Sequence, residues 1–281
     1  MRIQVLGLCR FSLLTVSDFQ TTGADLARNR AILYDPARLD LRMRWFENLC
    51  LPPLLWQTDP DFTLIVATGE DLPQPWLGHL RDIAQAVPQI RLMQAPPGPH
   101  APICRAMLAE ATEPGADVVA QFRMDDDDAV AQDYVASVRQ DYHAIKGLMD
   151  GWNPVALDYG RGLLVQADGD DLHVSCALTH FWAPGLTLYF PGGEPRSVMN
   201  YRHDWVWRLT PTATKIDRVM WMRGFHGHND SPHHLGKRIP VEMTQAQVHT
   251  VMLRRFGLEH QALREALTAA PGAFVSLSDQ G

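Results

Sequence analysis

The stretch Val118-Val119-Ala120-Gln121-Phe122-Arg123-Met124-Asp125-Asp126-Asp127-Asp128-Ala129-Val130 decides how this chain is read. It opens as an apolar run of strand length and closes on four adjacent carboxylates. Like charges raise one another's pKa, so a fold that gathers four of them needs positive charge at the same place. No lysine stands nearby in sequence, and the expected source is a divalent cation, Mn²⁺ or Mg²⁺, which prefers hard oxygen ligands. The plainer alternative is a solvated acidic turn. Two overlapping Asp-x-Asp pairs are present, Asp125/Asp127 and Asp126/Asp128. In an extended segment either pair shares a face, so spacing alone does not choose between them.

Working outward, the first half alternates strand and helix patterns. Strands are expected at residues 3–8, 62–67, 90–93 and 118–122. Helices are expected at 38–50, with Leu39, Met43, Phe46 and Cys50 inward, and at 75–87, 103–112 and 131–145. Pro52-Pro53 suits the first turn of a further short helix. This order predicts an α/β fold with a largely parallel central sheet flanked by helices. In such sheets ligands bind beyond the carboxyl ends of the strands, where the acidic run and the Thr68-Gly69-Glu70-Asp71 turn both fall. The second half reads as an irregular mixed α/β region. Short strands are expected near 154–158, 162–165, 172–175 and 187–190, with a hairpin turn at Asp168-Gly169-Asp170-Asp171. Thr244 and Gln247 have capping-box spacing before a terminal helical segment. One integrated domain is expected: 1–130 as a first half ending in the acidic run, 131–243 as a second, and 244–281 as terminal helices.

The chain has 281 residues and a net charge of −7, so no general basic field is present and nucleic acid is not an expected partner. The four cysteines, Cys9, Cys50, Cys104 and Cys176, are widely spaced, which argues against a zinc knuckle or a disulfide framework and for a reducing, cytoplasmic setting. No apolar stretch reaches membrane-spanning length, which leaves peripheral membrane contact open. The eight tryptophans offer packing mass or flat faces for sugar rings.

Three further segments carry chemistry. In Arg223-Gly224-Phe225-His226-Gly227-His228-Asn229-Asp230, His226 and His228 are candidate metal ligands, against a reading as ordinary loop histidines. In Tyr201-Arg202-His203-Asp204-Trp205-Val206-Trp207-Arg208, a carboxylate beside tryptophans suits a general base next to a sugar platform; the alternative is an Asp204–Arg208 pair on a helix surface. Arg10 and Arg123 flank strand ends and suit phosphate oxygens. Neither GxxxxGK[ST] nor GxGxxG occurs.

The segments Arg10-Phe11-Ser12, residues 44–62, residues 122–129 and Phe225-His226-Gly227-His228-Asn229 together resemble the bacterial rhamnosyltransferase family, placed among glycosyltransferases of the GT-A fold. The likeness runs to about residue 235. It implies a nucleotide-sugar donor, a divalent cation and a glycan, lipid-linked or protein acceptor. By that resemblance Asp125 and Asp127 fill the Asp-x-Asp places, with Asp128 following; Arg10, Glu70, Asp71, Arg123, Asp125 and Asp126 are expected at the donor, Asp127, Asp128, His226 and His228 at the metal, and Asp204 as catalytic base. His203 stands where many related enzymes carry Glu. A sugar-phosphate nucleotidyltransferase and a non-catalytic carbohydrate-binding protein on a degenerate transferase fold are the alternatives.

Overall fold

A computed structural model describes residues 1–16, 25–149, 154–226 and 238–268. The strands are β1 (Ile3–Arg10), β2 (Thr15–Val16), β3 (Thr63–Gly69), β4 (Ile90–Ala95), β5 (Gly98–Pro99), β6 (Val118–Asp125), β7 (Asp128–Val130), β8 (Val155–Tyr159), β9 (Arg161–Asp168), β10 (Asp171–Leu178), β11 (Leu186–Pro191), β12 (Thr212–Lys215), β13 (Trp221–Phe225) and β14 (Ile239–Val241). The α-helices are α1 (Leu26–Leu33), α2 (Pro36–Trp45), α3 (Leu51–Leu55), α4 (Trp76–Ala86), α5 (His100–Ala111), α6 (Tyr134–Ile145), α7 (Gln245–Val251) and α8 (His260–Thr268).

The main sheet has the order β12-β8-β11-β6-β1-β3-β4. Strands β4, β3, β1 and β6 run parallel, as the strand–helix alternation predicts. β11 is inserted antiparallel between β6 and β8. Strand side chains alternate between two cores. Val5, Leu64 and Val66 pack with α2, α4 and α6, while Leu6, Leu8 and Ile65 pack with α5 and the segment around Val198 and Val206. A sheet buried on both faces needs apolar residues at every position, which is why its strands read as continuous runs.

The second half is more ordered than its sequence suggests. β8, β11 and β12 complete the main sheet, and β14-β10-β9-β13-β7 form a second one. The hairpin expected at residues 168–171 joins β9 to β10. Thr244 caps α7 in a reciprocal box with Gln247. The short helix at Pro52-Pro53 does not begin afresh. A π-turn over residues 46–50, closed by the Leu51 N–H on the Phe46 carbonyl, joins α2 to α3. Two prolines cannot donate to the preceding turn, and the wider turn absorbs their rings without breaking the helix. That helical run passes behind the acidic turn and delivers Arg42 to it.

Candidate active site

The acidic run does not stay extended. β6 ends at Asp125, Asp126 and Asp127 form a turn, and β7 starts at Asp128 in the other sheet. The backbone N–H of Asp125 donates to Asp128 Oδ2 at 2.9 Å, closing the turn. This geometry keeps Asp125/Asp127 together and breaks Asp126/Asp128. Carboxylate oxygens of Asp125, Asp127 and Asp128 lie within 4.8 Å of one another, while Asp126 turns away. Asp126 is fully buried and ion-paired with Arg42, whose Nε donates to its Oδ2 at 3.0 Å.

Arginines supply much of the positive charge this cluster requires. Arg42 Nη1 also reaches Asp127 Oδ2 at 3.1 Å, and His226 Nε2 stands 3.1 Å from the same oxygen. Burial pushes Asp127 up, but Arg42, His226 and Arg223 outweigh it and hold the carboxyl well below its ordinary value. Asp125 is likewise held down: burial opposes, and the Arg10 ion pair prevails. Asp128 is the exception. Burial raises it well above the ordinary range, with Asp127 and Asp125 adding to the rise and Arg223 opposing it. Among the described residues, Asp128 Oδ1 is buried with no hydrogen-bond partner. β13 reaches this turn at Gly224, whose N–H donates to the Asp127 carbonyl at 2.8 Å. A Cβ there would sit 2.7 Å from that carbonyl and 2.6 Å from the Trp45 ring, so only glycine allows the approach.

Beside the cluster is a cavity of about 410 Å³. Its walls include Arg10, Arg123, Asp125, His203, Asp204 and Arg223. Asp204 lies on a 3₁₀ helix, His203–Arg208, and is bonded to Arg202 at 3.0 Å rather than to Arg208. Its carboxyl is held below its ordinary value: burial opposes this, and Arg202 and His203 prevail. His203 Nδ1 donates to the Phe181 carbonyl at 2.6 Å, which fixes the tautomer and leaves Nε2 as the acceptor. Phe181 holds a left-handed backbone, φ 58°, anchored by its N–H on the buried Asp158 at 3.0 Å. Trp205 and Trp207 are exposed, with Arg208 stacked over both rings at 4.3 and 5.0 Å.

The candidates from sequence therefore separate. Arg10, Asp125, Asp127 and Asp128 come together, and Arg123 and Asp204 share the adjoining cavity. His226 contacts Asp127 and Arg42. Glu70 and Asp71 close β3 two strands away, where Asp71 accepts from Tyr34 at 2.8 Å and pairs with Arg30. His228 lies outside the described residues. Arg42 and Arg223 carry no role in the sequence reading. The signal for Arg42 was its place among Leu39, Met43 and Phe46, on the inward face of the helix, where Arg38 is buried as well.

The fold is a mostly parallel α/β sheet with clustered carboxylates at a strand end, beside a cavity that holds a further carboxylate. The chain belongs to the putative rhamnosyl transferase family, whose model matches residues 4–238. Among solved structures it is similar to S. aureus TarS 1-349, at 10% identity and a TM-score of 0.41, covering 95% of this chain and 69% of that one. The complex of that protein with UDP-GlcNAc matches at 12% identity, with a TM-score of 0.41 and coverage of 95% and 70%. A Bacillus anthracis putative glucose-1-phosphate thymidylyltransferase matches at 9% identity and a TM-score of 0.33, over 97% and 98% of the two chains. No curated protein matches the chain.

Proposed function

We propose that this glycosyltransferase is metal-dependent and moves a sugar, rhamnose being the family's suggestion, from a nucleotide-sugar donor to an acceptor hydroxyl. The observation that carries this reading is the convergence of Asp125, Asp127 and Asp128 beside the cavity that holds Asp204. An all-carboxylate set, with one buried oxygen lacking a partner, fits a hard divalent cation. Bound there, Mn²⁺ or Mg²⁺ would supply positive charge to the diphosphate leaving group. Asp126, Arg42 and His226 position the set from behind. Arg10 holds Asp125 and faces the donor. The Glu70-Asp71 turn, on the same sheet edge, is assigned to the nucleoside.

Asp204, ionised at neutral pH, accepts the proton of the attacking hydroxyl. Trp205 and Trp207 offer ring faces for the acceptor glycan at the rim. A single working domain is the reading supported by strands of both halves sharing one sheet. No helix among the described residues is long and apolar enough to cross a membrane. The four buried free cysteines suit a cytoplasmic setting.

The test is a panel of nucleotide sugars screened for thermal stabilisation with and without Mn²⁺, since a ligand that binds the native state raises its apparent stability. One donor should stabilise the protein only with the cation, and Asp127→Asn should abolish that effect and transfer together. With the productive donor, Asp204→Asn should lower transfer roughly 10²–10⁴-fold. Stabilisation independent of the cation would remove the metal from the account, and pyrophosphate release from a sugar phosphate and a nucleoside triphosphate would replace transfer with nucleotidyl chemistry.

A further inference from the structure

Four arginines and two aspartates line the cavity, so two of the arginines have no direct ion pair with a carboxylate of its walls. Arg10 pairs with Asp125, and Arg202 pairs with Asp204. The remaining two are Arg123 and Arg223. Arg123 projects from β6, and its contacts are neutral and long: the Tyr201 carbonyl at 3.4 Å and the Met199 sulfur at 3.8 Å. Arg223 is braced by aromatic faces, 5.0 Å from the Trp182 ring centre and 5.6 Å from that of Phe225. Among the described residues neither makes a carboxylate ion pair within 4.0 Å, although Arg223 acts at longer range on Asp127 and Asp128, and Arg123 on Asp125 and Asp204. A half-buried guanidinium left in this state favours an anion, and its planar fork matches phosphate oxygens.

We infer that Arg123 and Arg223 form a phosphate subsite, and that the molecule receiving the sugar carries a phosphoryl group. The inference rests on the donor reading above and adds the chemical class of the acceptor. Position is the first reason. Arg123 touches Tyr201 and Met199, which lead directly into His203 and Asp204, so an anion held there lies beside the base. Charge is the second. On the donor reading, a cation held by the three aspartates would meet the donor's diphosphate, which would leave both arginines to a second anion. Two guanidinium groups match a doubly charged phosphate better than a singly charged carboxylate.

The cavity histidines add no charge of their own. Burial pushes His203 down to about 4, with Arg123 and Arg223 contributing and Asp204 opposing. Burial likewise pushes His100 down to about 3, with Arg10 and Arg123 contributing and Asp125 opposing. Both imidazoles are neutral at physiological pH, and the positive field belongs to the arginines.

The experiment titrates inorganic phosphate, with acetate as the control anion, into protein saturated with Mg²⁺ and UDP, dTDP or GDP, followed by calorimetry and ³¹P NMR. Phosphate should bind together with the nucleotide, and acetate should not. Arg123→Gln should weaken phosphate about tenfold or more, the scale of one lost charged hydrogen bond. Arg223→Gln should act in the same direction, and it carries the test if the Arg123 variant fails to melt cooperatively. Displacement of nucleotide by phosphate, equal binding of acetate, or unchanged phosphate affinity in both variants would overturn the subsite. Phosphate binding that depends on Arg123 in a protein that binds none of the nucleotides would uphold the subsite and remove the donor reading instead.

Discussion

Strands β6 and β8 of the same sheet end in buried carboxylates whose surroundings differ. At the β6 end, Asp126 and Asp127 are buried against Arg42, a cation as buried as they are. At the β8 end, Asp158 is equally buried, but among the described residues its only ion-pair partner is His180, 3.7 Å away and two-thirds exposed. Asp158 accepts from the Phe181 N–H and from Thr214 Oγ1, yet burial prevails and raises its carboxyl to about 6. Asp127 is driven the other way. Burial alone makes a carboxylate hold its proton, and a guanidinium enclosed with it reverses the sign.

The strongest way to break this comparison is Arg42→Met. It leaves two buried carboxylates without their cation, and the expected loss is about 3–5 kcal/mol. Urea denaturation reads it, and a loss below roughly 1 kcal/mol would mean that the β6 end is solvated.

Next is pH. A carboxyl raised in the fold binds its proton more tightly there than in the unfolded chain. The Asp158 contribution is therefore complete below about pH 4 and is lost as pH climbs through about 6. Asp158→Asn should raise stability by about 2–3 kcal/mol at pH 8 and change little at pH 4, checked by melting curves at both values. Asp127 has the opposite slope: held low, it stabilises at neutral pH and loses that contribution on acidification below the ordinary carboxylate range.

Asp126→Asn keeps a hydrogen-bonding amide against Arg42, and Asp127 still faces the guanidinium. Its expected cost is about 1–2 kcal/mol by the same denaturation, clearly less than removal of the arginine. The smallest effect should be His180→Ala. An exposed imidazole is screened by water, and the change should stay within about 0.5 kcal/mol. A larger loss would make His180 the counter-ion of Asp158 and erase the contrast.

The first half was legible because strands buried on both faces and amphipathic helices each leave a clear period. The second half was not, because its strands are short, separated by Gly, Asp and Pro, and paired across long separations: β13 joins β9 and β7, and β8 and β11 return to the first sheet. At the site, the residue types were readable and their grouping was not. An alternating strand would pair Asp125 with Asp127 and Asp126 with Asp128, but the chain turns after Asp125, which brings Asp128 in and sends Asp126 out. Arg42 escaped notice because a charged residue on a helix is ordinarily assigned to water, and its carboxylate partner lies 84 residues further on.

The contact of Arg42 with His226 spans 184 residues, with Asp127 held by both. As the chain leaves the ribosome, the acidic turn emerges with Arg42 already made, but Gly224 and His226 arrive about a hundred residues later. At roughly 5–20 residues per second, the nascent chain carries an unfinished rim for several seconds. The rim is complete only when the second sheet brings His226 to Arg42 and Asp127.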